Sequence, residues 1–304
     1  MKPTVLDLFS GCGGFSSGFM QAGFEVVGFV EYWKPAIETY KLNHPNTKHF
    51  GFDITKIPDA TIKEYEGKID VIIGGPPCQG FSMAGKRDNN DPRNKLYKHY
   101  LRFVKIIKPK LIIMENVKGI LSMEDNDGEK VINKIILDLI KLEYHVSYKI
   151  LNAKDYGIAQ NRERVIITAK KLNLYPEPQA EKINVMQAIS NIPENFNAHE
   201  SIGITEETKQ RIEILEFGGK LSKKYNFSRQ RLHPNKYSPT VATKPLFIHP
   251  FEHRLLTPRE LARLQSFPDG FLFQGSKTSM IKQIGNAVPH KMAREIAEKL
   301  SFFK

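Results

Sequence analysis

Cysteine is scarce in this chain, with Cys12 and Cys78 the only two among 304 residues. Two cysteines exclude a disulfide framework and a Cys-rich zinc site, and free thiols suit a reducing cytoplasm. Long apolar runs are missing as well. The longest, such as "VLDLF", "IDVII" and "LIIMENV", fall far short of the roughly 20 residues a membrane span needs. The opening "MKPTVLDLFS" carries no secretory h-region, so a cytoplasmic protein with no membrane partner is expected. No internal repeat or low-complexity tract stands out. Acid is absent from one stretch: between Glu216 and Glu252 there is none, while Lys220, Lys223, Lys224, Arg229, Arg231, Lys236 and Lys244 fall there, interleaved with Tyr225, Phe227, Tyr237 and Phe247. With a formal net charge of +12, that stretch reads either as a surface for phosphates or as a solvated basic loop, and charge alone does not choose.

What is present is a rhythm. Residues 1 to 170 alternate short β-rich runs with amphipathic stretches: "VLDLF", a helix near 14 to 22, "EVVGFVE", a helix from Trp33 with Pro35 in its first turn, and "KHFGFDIT". "IDVIIGG", a helix near 95 to 107, "KLIIMENV" and a helix near 127 to 142 follow. Such alternation specifies an α/β fold with a mostly parallel sheet covered on both faces. The runs "YHVSYKILNA" and "RERVIITAKK" are joined by a loop too short for a helical crossover, which predicts an antiparallel pair at one edge. From about Leu174 the rhythm stops. Residues 175–256 are expected to form a smaller, irregular, basic domain, and residues 1–174 with 257–304 the larger one. In the tail "GNAVPHKMAREIAEKL", Val288, Met292 and Ile296 share a helical face that predicts docking on the larger domain.

Loops at the carboxyl ends of parallel strands share one rim, where ligands bind. After "VLDLF" comes "SGCGG", whose Gly11, Gly13 and Gly14 let backbone approach a ligand beside helix N-terminal amides. Glu31 follows the second strand, suited to two ribose hydroxyls or to capping the next helix. Pro76-Pro77-Cys78-Gln79 follows "IDVIIGG", and Glu115-Asn116-Val117 ends "LIIMENV". Two prolines fix the backbone ahead of Cys78, and a thiol that is a few per cent ionised at neutral pH is already strongly nucleophilic. A cysteine after a strand is also a common small core residue.

Taken in order, "DLFSGCGGFSSGF", "FVEYW", "FDIT", "GGPPCQGFS", "DPRNKLY", "MENVKGI", "YGIAQNRERV", "RLLTPRELARLQSFPD" and "GNAVP" resemble the DNA cytosine-5 methyltransferases, closely the compact bacterial and archaeal type. The resemblance runs nearly end to end. It implies a Rossmann-like methyltransferase sheet plus a target-recognition domain. It also implies methylation of cytosine carbon 5 in duplex DNA by base flipping and a transient cysteine adduct at carbon 6. Cys78 is then the nucleophile, Glu115 the group at ring nitrogen 3, and Arg162 and Arg164 complete the catalytic set, Arg164 contacting the target base. S-adenosylmethionine is the implied cofactor and S-adenosylhomocysteine the product, with no metal. Carried over residue by residue, the cofactor positions are Phe9, Gly11, Gly13, Gly14, Glu31, Tyr32, Asp53, Ile54, Pro76 and Asn286. Two departures stand out: Tyr32 precedes Trp33 where many relatives have Trp directly after the glutamate, and Asn94 replaces a common Gly in "DPRN".

For DNA, the family's mobile lid matches "QGFSMAGKRDNNDPRN", with Gln79, Ser82, Lys86, Arg87 and Arg93 as contacts. Arg229, Arg231 and Thr240 are the implied contacts in the recognition region; Arg231, Pro239 and Thr240 of "RQRLHPNKYSPTVAT" also match an element that organises it. The implied partners are double-stranded DNA and a restriction endonuclease acting on the same site, with the protein a nucleoid-associated monomer. Two readings compete: a tRNA cytosine-5 methyltransferase, whose branch differs after the cysteine, and a nucleic-acid-binding regulator without catalysis, against which the intact Cys78, Glu115, Arg162 and Arg164 argue.

Overall fold

Short apolar runs bounded by turns are what a sheet buried on both faces requires. The computed structural model describes residues 1–77, 96–125, 127–170, 175–179, 181–222, 224 and 228–300. Within them the alternating half forms β1 (Thr4–Leu8), α1 (Gly14–Gln21), β2 (Glu25–Val30), α2 (Lys34–Asn43), β3 (Lys48–Gly51), α3 (Asp59–Lys63), β4 (Val71–Gly74), α4 (Leu96–Ile107), β5 (Leu111–Val117), α5 (Val131–Lys141), β6 (Val146–Asn152) and β7 (Glu163–Ala169). There follow α6 (Val185–Ile189), α7 (Glu206–Glu213), β8 (Gln230–Arg231), β9 (Phe247–Ile248), α8 (Pro258–Leu264), α9 (Lys277–Asn286) and α10 (His290–Glu298).

The large sheet has the order β3-β2-β1-β4-β5-β7-β6. β1 to β5 are parallel, and β7 runs antiparallel to both β5 and β6. The expected antiparallel pair therefore lies at one edge, with the reversed strand one place in. Alternate residues of each strand face opposite ways. Leu6, Ile72, Ile112 and Ile167 pack under Ile62, Phe103, Val104, Ile135 and Leu139 of α3, α4 and α5. Val5, Ile73, Ile113 and Ile166 pack under Phe15 and Phe19 of α1 and Met292 and Ile296 of α10. Gly18 lets α1 and α10 meet closely: a Cβ there would lie 2.6 Å from both Ala293 Cβ and Arg294 N.

α5 starts later than periodicity predicts, at Val131 rather than near 127. Asp125 Oδ1 accepts from the amides of Asp127 and Glu129, and the Lys134 ammonium pairs with Asp125, Asp127 and Glu129. That local turn competes with helix for the same backbone groups.

Between 175 and 256 the elements are short, and β8 and β9 form a two-stranded parallel pair. Val185, Ile189, Leu232, Val241 and Phe247 nevertheless share one core with Leu261, Leu264, Phe267, Ile281 and Ile284. Among the described residues no helix is long and apolar enough to cross a membrane.

Candidate active site

The parallel order β3-β2-β1-β4-β5 lines up five strand ends on one rim. In the loop after β1 the backbone turns left-handed at Phe9 (φ 61°), Gly11 (φ 56°) and Gly13 (φ 95°). Gly13 tolerates no side chain, since a Cβ would lie 2.9 Å from the Tyr40 ring and 3.1 Å from His44. Gly11 is the opposite case: a Cβ would meet nothing within 4 Å. Its backbone thus borders open space while its amide donates to Glu31 Oε2 at 2.9 Å.

Glu31, directly after β2, is buried. Its Oε1 accepts from the amides of Tyr32 (2.9 Å) and Trp33 (2.8 Å), and Trp33 is the N-cap of α2. Burial raises the carboxyl pKa, and the amides of Trp33, Gly11 and Tyr32 pull it down. A carboxylate offers about four acceptor positions, so three amides leave capacity for a ligand hydroxyl. Asp53 follows β3. Thr55 donates to its Oδ1 through Oγ1 (2.7 Å) and N (2.9 Å), and that side-chain bond chiefly holds its carboxyl below the usual range. Ile54 is buried in the core and Phe9 packs at its margin. Tyr32 is 68% exposed, whereas the half-buried Trp33 has Lys282 Nζ 4.4 Å from its ring centroid. Asn286 closes α9 with its side chain exposed.

Under this loop lies Asp7, fully buried in β1. Ser16 Oγ donates to its Oδ2 at 2.6 Å, Tyr40 Oη donates to Ser16 Oγ at 2.8 Å, and Oδ1 has no partner among the described residues. Burial pushes this carboxyl up to about 7, with the Ser16 bond opposing. The stability gained by holding the proton is full below the unfolded value near 4 and is lost as pH rises through about 7. Asp7→Asn is expected to remove that component, roughly 4 kcal/mol across the window. Urea unfolding of both proteins at pH 5 and pH 8 checks it: the wild type loses more stability than the variant.

At the β5 end, Glu115 Oε1 pairs with Arg164 Nε at 2.8 Å, both side chains nearly buried. The register that sets Val117 opposite Arg164 and Glu115 opposite Ile166 brings them together across the strands. Glu115 Oε2 faces Gly75, where a Cβ would be 3.2 Å away. Asn116 Nδ2 donates to the Pro76 carbonyl at 3.1 Å, tying the same strand end to the prolines before Cys78. Cys78 itself, with Gln79, Ser82, Lys86, Arg87 and Arg93, lies outside the described residues. Cys12 is fully buried in the core, its Sγ 3.8 Å from the Gln283 carbonyl, and burial pushes its thiol up to about 12. Of the two cysteines, Cys12 is a core residue.

Arg162 behaves differently from Arg164. It is almost fully buried and donates to the carbonyls of Val241 (3.2 Å), Gly285 (3.0 Å) and Ala287 (3.0 Å). Gln160 completes the junction: Val241 N donates to its Oε1, its Nε2 donates to Gln265 Oε1 (both 2.8 Å), and Gln265 Nε2 donates to the Ile284 carbonyl at 2.8 Å. Gly285 permits this approach, since a Cβ would stand 2.4 Å from the Ala242 carbonyl. The residue entering β7, Val241 and the C-terminal end of α9 thus meet around one guanidinium. Arg162→Met removes the guanidinium donors to three buried carbonyls, of which, among the described residues, Ala287 alone keeps a second donor in Gln265 Nε2 (3.4 Å), and is expected to cost about 3–5 kcal/mol of unfolding free energy, measured by urea denaturation. A loss under about 1 kcal/mol would contradict this assignment. No motif points to Gln160, Gln265 or Lys282; for the glutamines the one local signal is a polar residue beside apolar ones in "AQNRER" and "RLQSF".

A profile of C-5 cytosine-specific DNA methylases matches residues 3–301. The chain belongs to that family. The type II methyltransferase M.DdeI of Desulfomicrobium norvegicum is 36% identical over 98% of this chain and 88% of its own. M1.HphI of Haemophilus parahaemolyticus, also named a type II methyltransferase, is 37% identical over 98% of this chain and 86% of its own. Among solved structures, one titled as a DNA modification methyltransferase encoded within an E. coli prophage superposes with a TM-score of 0.83 at 29% identity, covering 99% of each chain. The enzyme is thus a DNA cytosine-5 methyltransferase with an α/β, mostly parallel sheet.

Within residues 175–256 one expected DNA contact is corrected. Arg231 is buried: Nε donates to the Pro250 carbonyl (2.8 Å) and Nη1 to those of Ile212 (3.1 Å) and Leu215 (2.8 Å). Its guanidinium braces the region from within instead of facing a phosphate. Arg229 is half-buried beside β8, and Thr240 Oγ1 donates to the Asn161 carbonyl at 2.9 Å.

Proposed function

We propose that this methylase modifies a cytosine within a short duplex DNA site, as the modification partner of a restriction enzyme, using S-adenosylmethionine and a transient bond to Cys78. The observation that carries the reading is the Glu115–Arg164 pair at 2.8 Å, set against Gly75 three residues before Cys78. The modification role draws on the relatives named type II methyltransferases.

The residues at the β1, β2 and β3 ends fit the cofactor. Glu31 keeps acceptor capacity for a ribose hydroxyl, Asp53 presents an acceptor to an exocyclic amine, and Gly11 borders open space. Since Lys282 covers one face of Trp33, the exposed Tyr32 is the aromatic we assign to the adenine. Bound there, S-adenosylmethionine supplies an electrophilic methyl group on a sulfonium.

Carbon 5 of cytosine is too weak a nucleophile to take that methyl unaided. The Cys78 thiolate adds to carbon 6, and the electron pair released from the 5,6 double bond makes carbon 5 nucleophilic. Glu115 stabilises the charge that develops at ring nitrogen 3 by a hydrogen bond or a shared proton, and Arg164 holds Glu115 in place. After carbon 5 gains the methyl, a base removes its proton, the double bond reforms and Cys78 leaves as thiolate. Ring atoms are out of reach inside a duplex, so the base must leave the stack, at a cost of a few kcal/mol offset by pocket contacts. Residues 175–256 are the unit we assign to reading the site, with residues 1–174 and 257–304 as the catalytic unit.

Radiolabelled methyl transfer to duplex DNA and to tRNA, followed by sequencing of methylated cytosines, tests this. We expect 5-methylcytosine at one recurring short duplex motif and none in tRNA. Label in tRNA alone would overturn it.

A further inference from the structure

One charged side chain in the proposed cofactor cleft is left without a role. Lys282 stands on the exposed face of α9 one turn before Asn286, while Ile281, Gln283 and Ile284 anchor the helix from behind. Its Nζ lies 4.4 Å from the centroid of the Trp33 ring. Trp33 caps α2, and its amide and that of Tyr32 both bind Glu31. The same turn of α9 rests on the glycine loop, where Cys12 Sγ meets the Gln283 carbonyl. A helix from the far end of the chain thus touches the β1 loop and the β2–α2 corner together, and the second contact is made by an ammonium.

We infer that Lys282 is a positioning residue for the cofactor: laid across Trp33, it clasps α9 to the β2–α2 corner and holds Glu31 and Trp33 in the arrangement that receives the adenosine half. The inference rests on the cofactor reading given under Proposed function. Its physical basis is twofold. An ammonium over an indole face is attracted by the ring quadrupole, and the lysine stem covers apolar surface that would otherwise be wet. Glu31 is also a buried carboxylate that shares its neighbourhood with Asp7. A nearby positive charge offsets that repulsion and favours the ionised form that accepts from a ribose hydroxyl. Because α9 also carries Asn286, the clasp fixes two walls of the cleft relative to each other.

The test compares wild type, Lys282→Met and Lys282→Arg as full chains. Calorimetry gives the affinity of each for S-adenosylhomocysteine and for methylthioadenosine, which keeps the adenosine and lacks the amino acid. Trp33 is the chain's one tryptophan, so intrinsic emission reports this contact directly. We expect Lys282→Met to weaken both ligands about threefold to tenfold and to change the unliganded emission. Lys282→Arg, which keeps the cation over the ring, is expected to restore both readouts to within about twofold. Unchanged affinities and emission in Lys282→Met would overturn the inference. So would a loss confined to S-adenosylhomocysteine, which would assign Lys282 to the carboxylate, or an Arg variant as impaired as Met. Wild-type protein that binds neither ligand would instead sink the cofactor reading, and this inference with it.

Discussion

Cys78→Ala is expected to abolish methyl transfer, lowering turnover on the order of 10⁴-fold or more, while S-adenosylhomocysteine binding stays within about twofold of wild type. The size of the effect follows from the chemistry. Without a covalent bond at carbon 6, electron density at carbon 5 is not raised, and no other thiol in the chain is placed to supply it. The chain's other cysteine cannot substitute, because Cys12 is sealed in the core with its thiol pushed up to about 12. Cofactor affinity should survive because Glu31, Asp53 and the glycine loop hang on β1, β2 and β3. Single-turnover transfer assays and calorimetry on one preparation separate the two quantities. Residual turnover near wild type would remove Cys78 from the mechanism.

The second large effect is Glu115→Gln, for which we expect a fall in kcat of about 10²- to 10³-fold with little change in KM for DNA. Glutamine fills the same volume and still accepts from Arg164 Nε through its carbonyl oxygen, so the fold should persist. It cannot share a proton with ring nitrogen 3 in the way a carboxylate does. The charge that Arg164 now balances at 2.8 Å is also lost. Steady-state kinetics decide, and a KM effect with unchanged kcat would mean that Glu115 serves binding alone.

The fold was legible because hydrophobic period carries it. Runs such as "IDVIIGG" are buried on both faces and could only be central parallel strands, and the short 153–162 connection forced the β6–β7 pairing to be antiparallel. The start of α5 was not legible, since the turn at Asp125 depends on Lys134 reaching back to it. In the site, strand-end positions of Glu31 and Glu115 follow from the rhythm of the chain. What no local pattern exposes is which arginine pairs with Glu115 and which holds the scaffold. Arg162 and Arg164 sit two apart in "NRERV", yet one is spent on three carbonyls from distant segments and the other on Glu115. Arg231 repeats the lesson: its basic neighbourhood suggested phosphate, and long-range packing turned it inward. Lys282 met Trp33 only through the folding of α9 onto the β2–α2 corner.

The proposed methyl transfer turns on a sulfur–carbon bond between this chain and its target base. Duplex DNA bearing 5-fluorocytosine at the methylated position tests it, because fluorine at carbon 5 cannot leave as a proton does and the adduct is trapped. Incubation with S-adenosylmethionine should give a denaturation-resistant complex whose peptide map places the nucleotide on Cys78. A protein that methylates the unfluorinated duplex yet yields no such complex, or one that maps to another residue, would contradict the account.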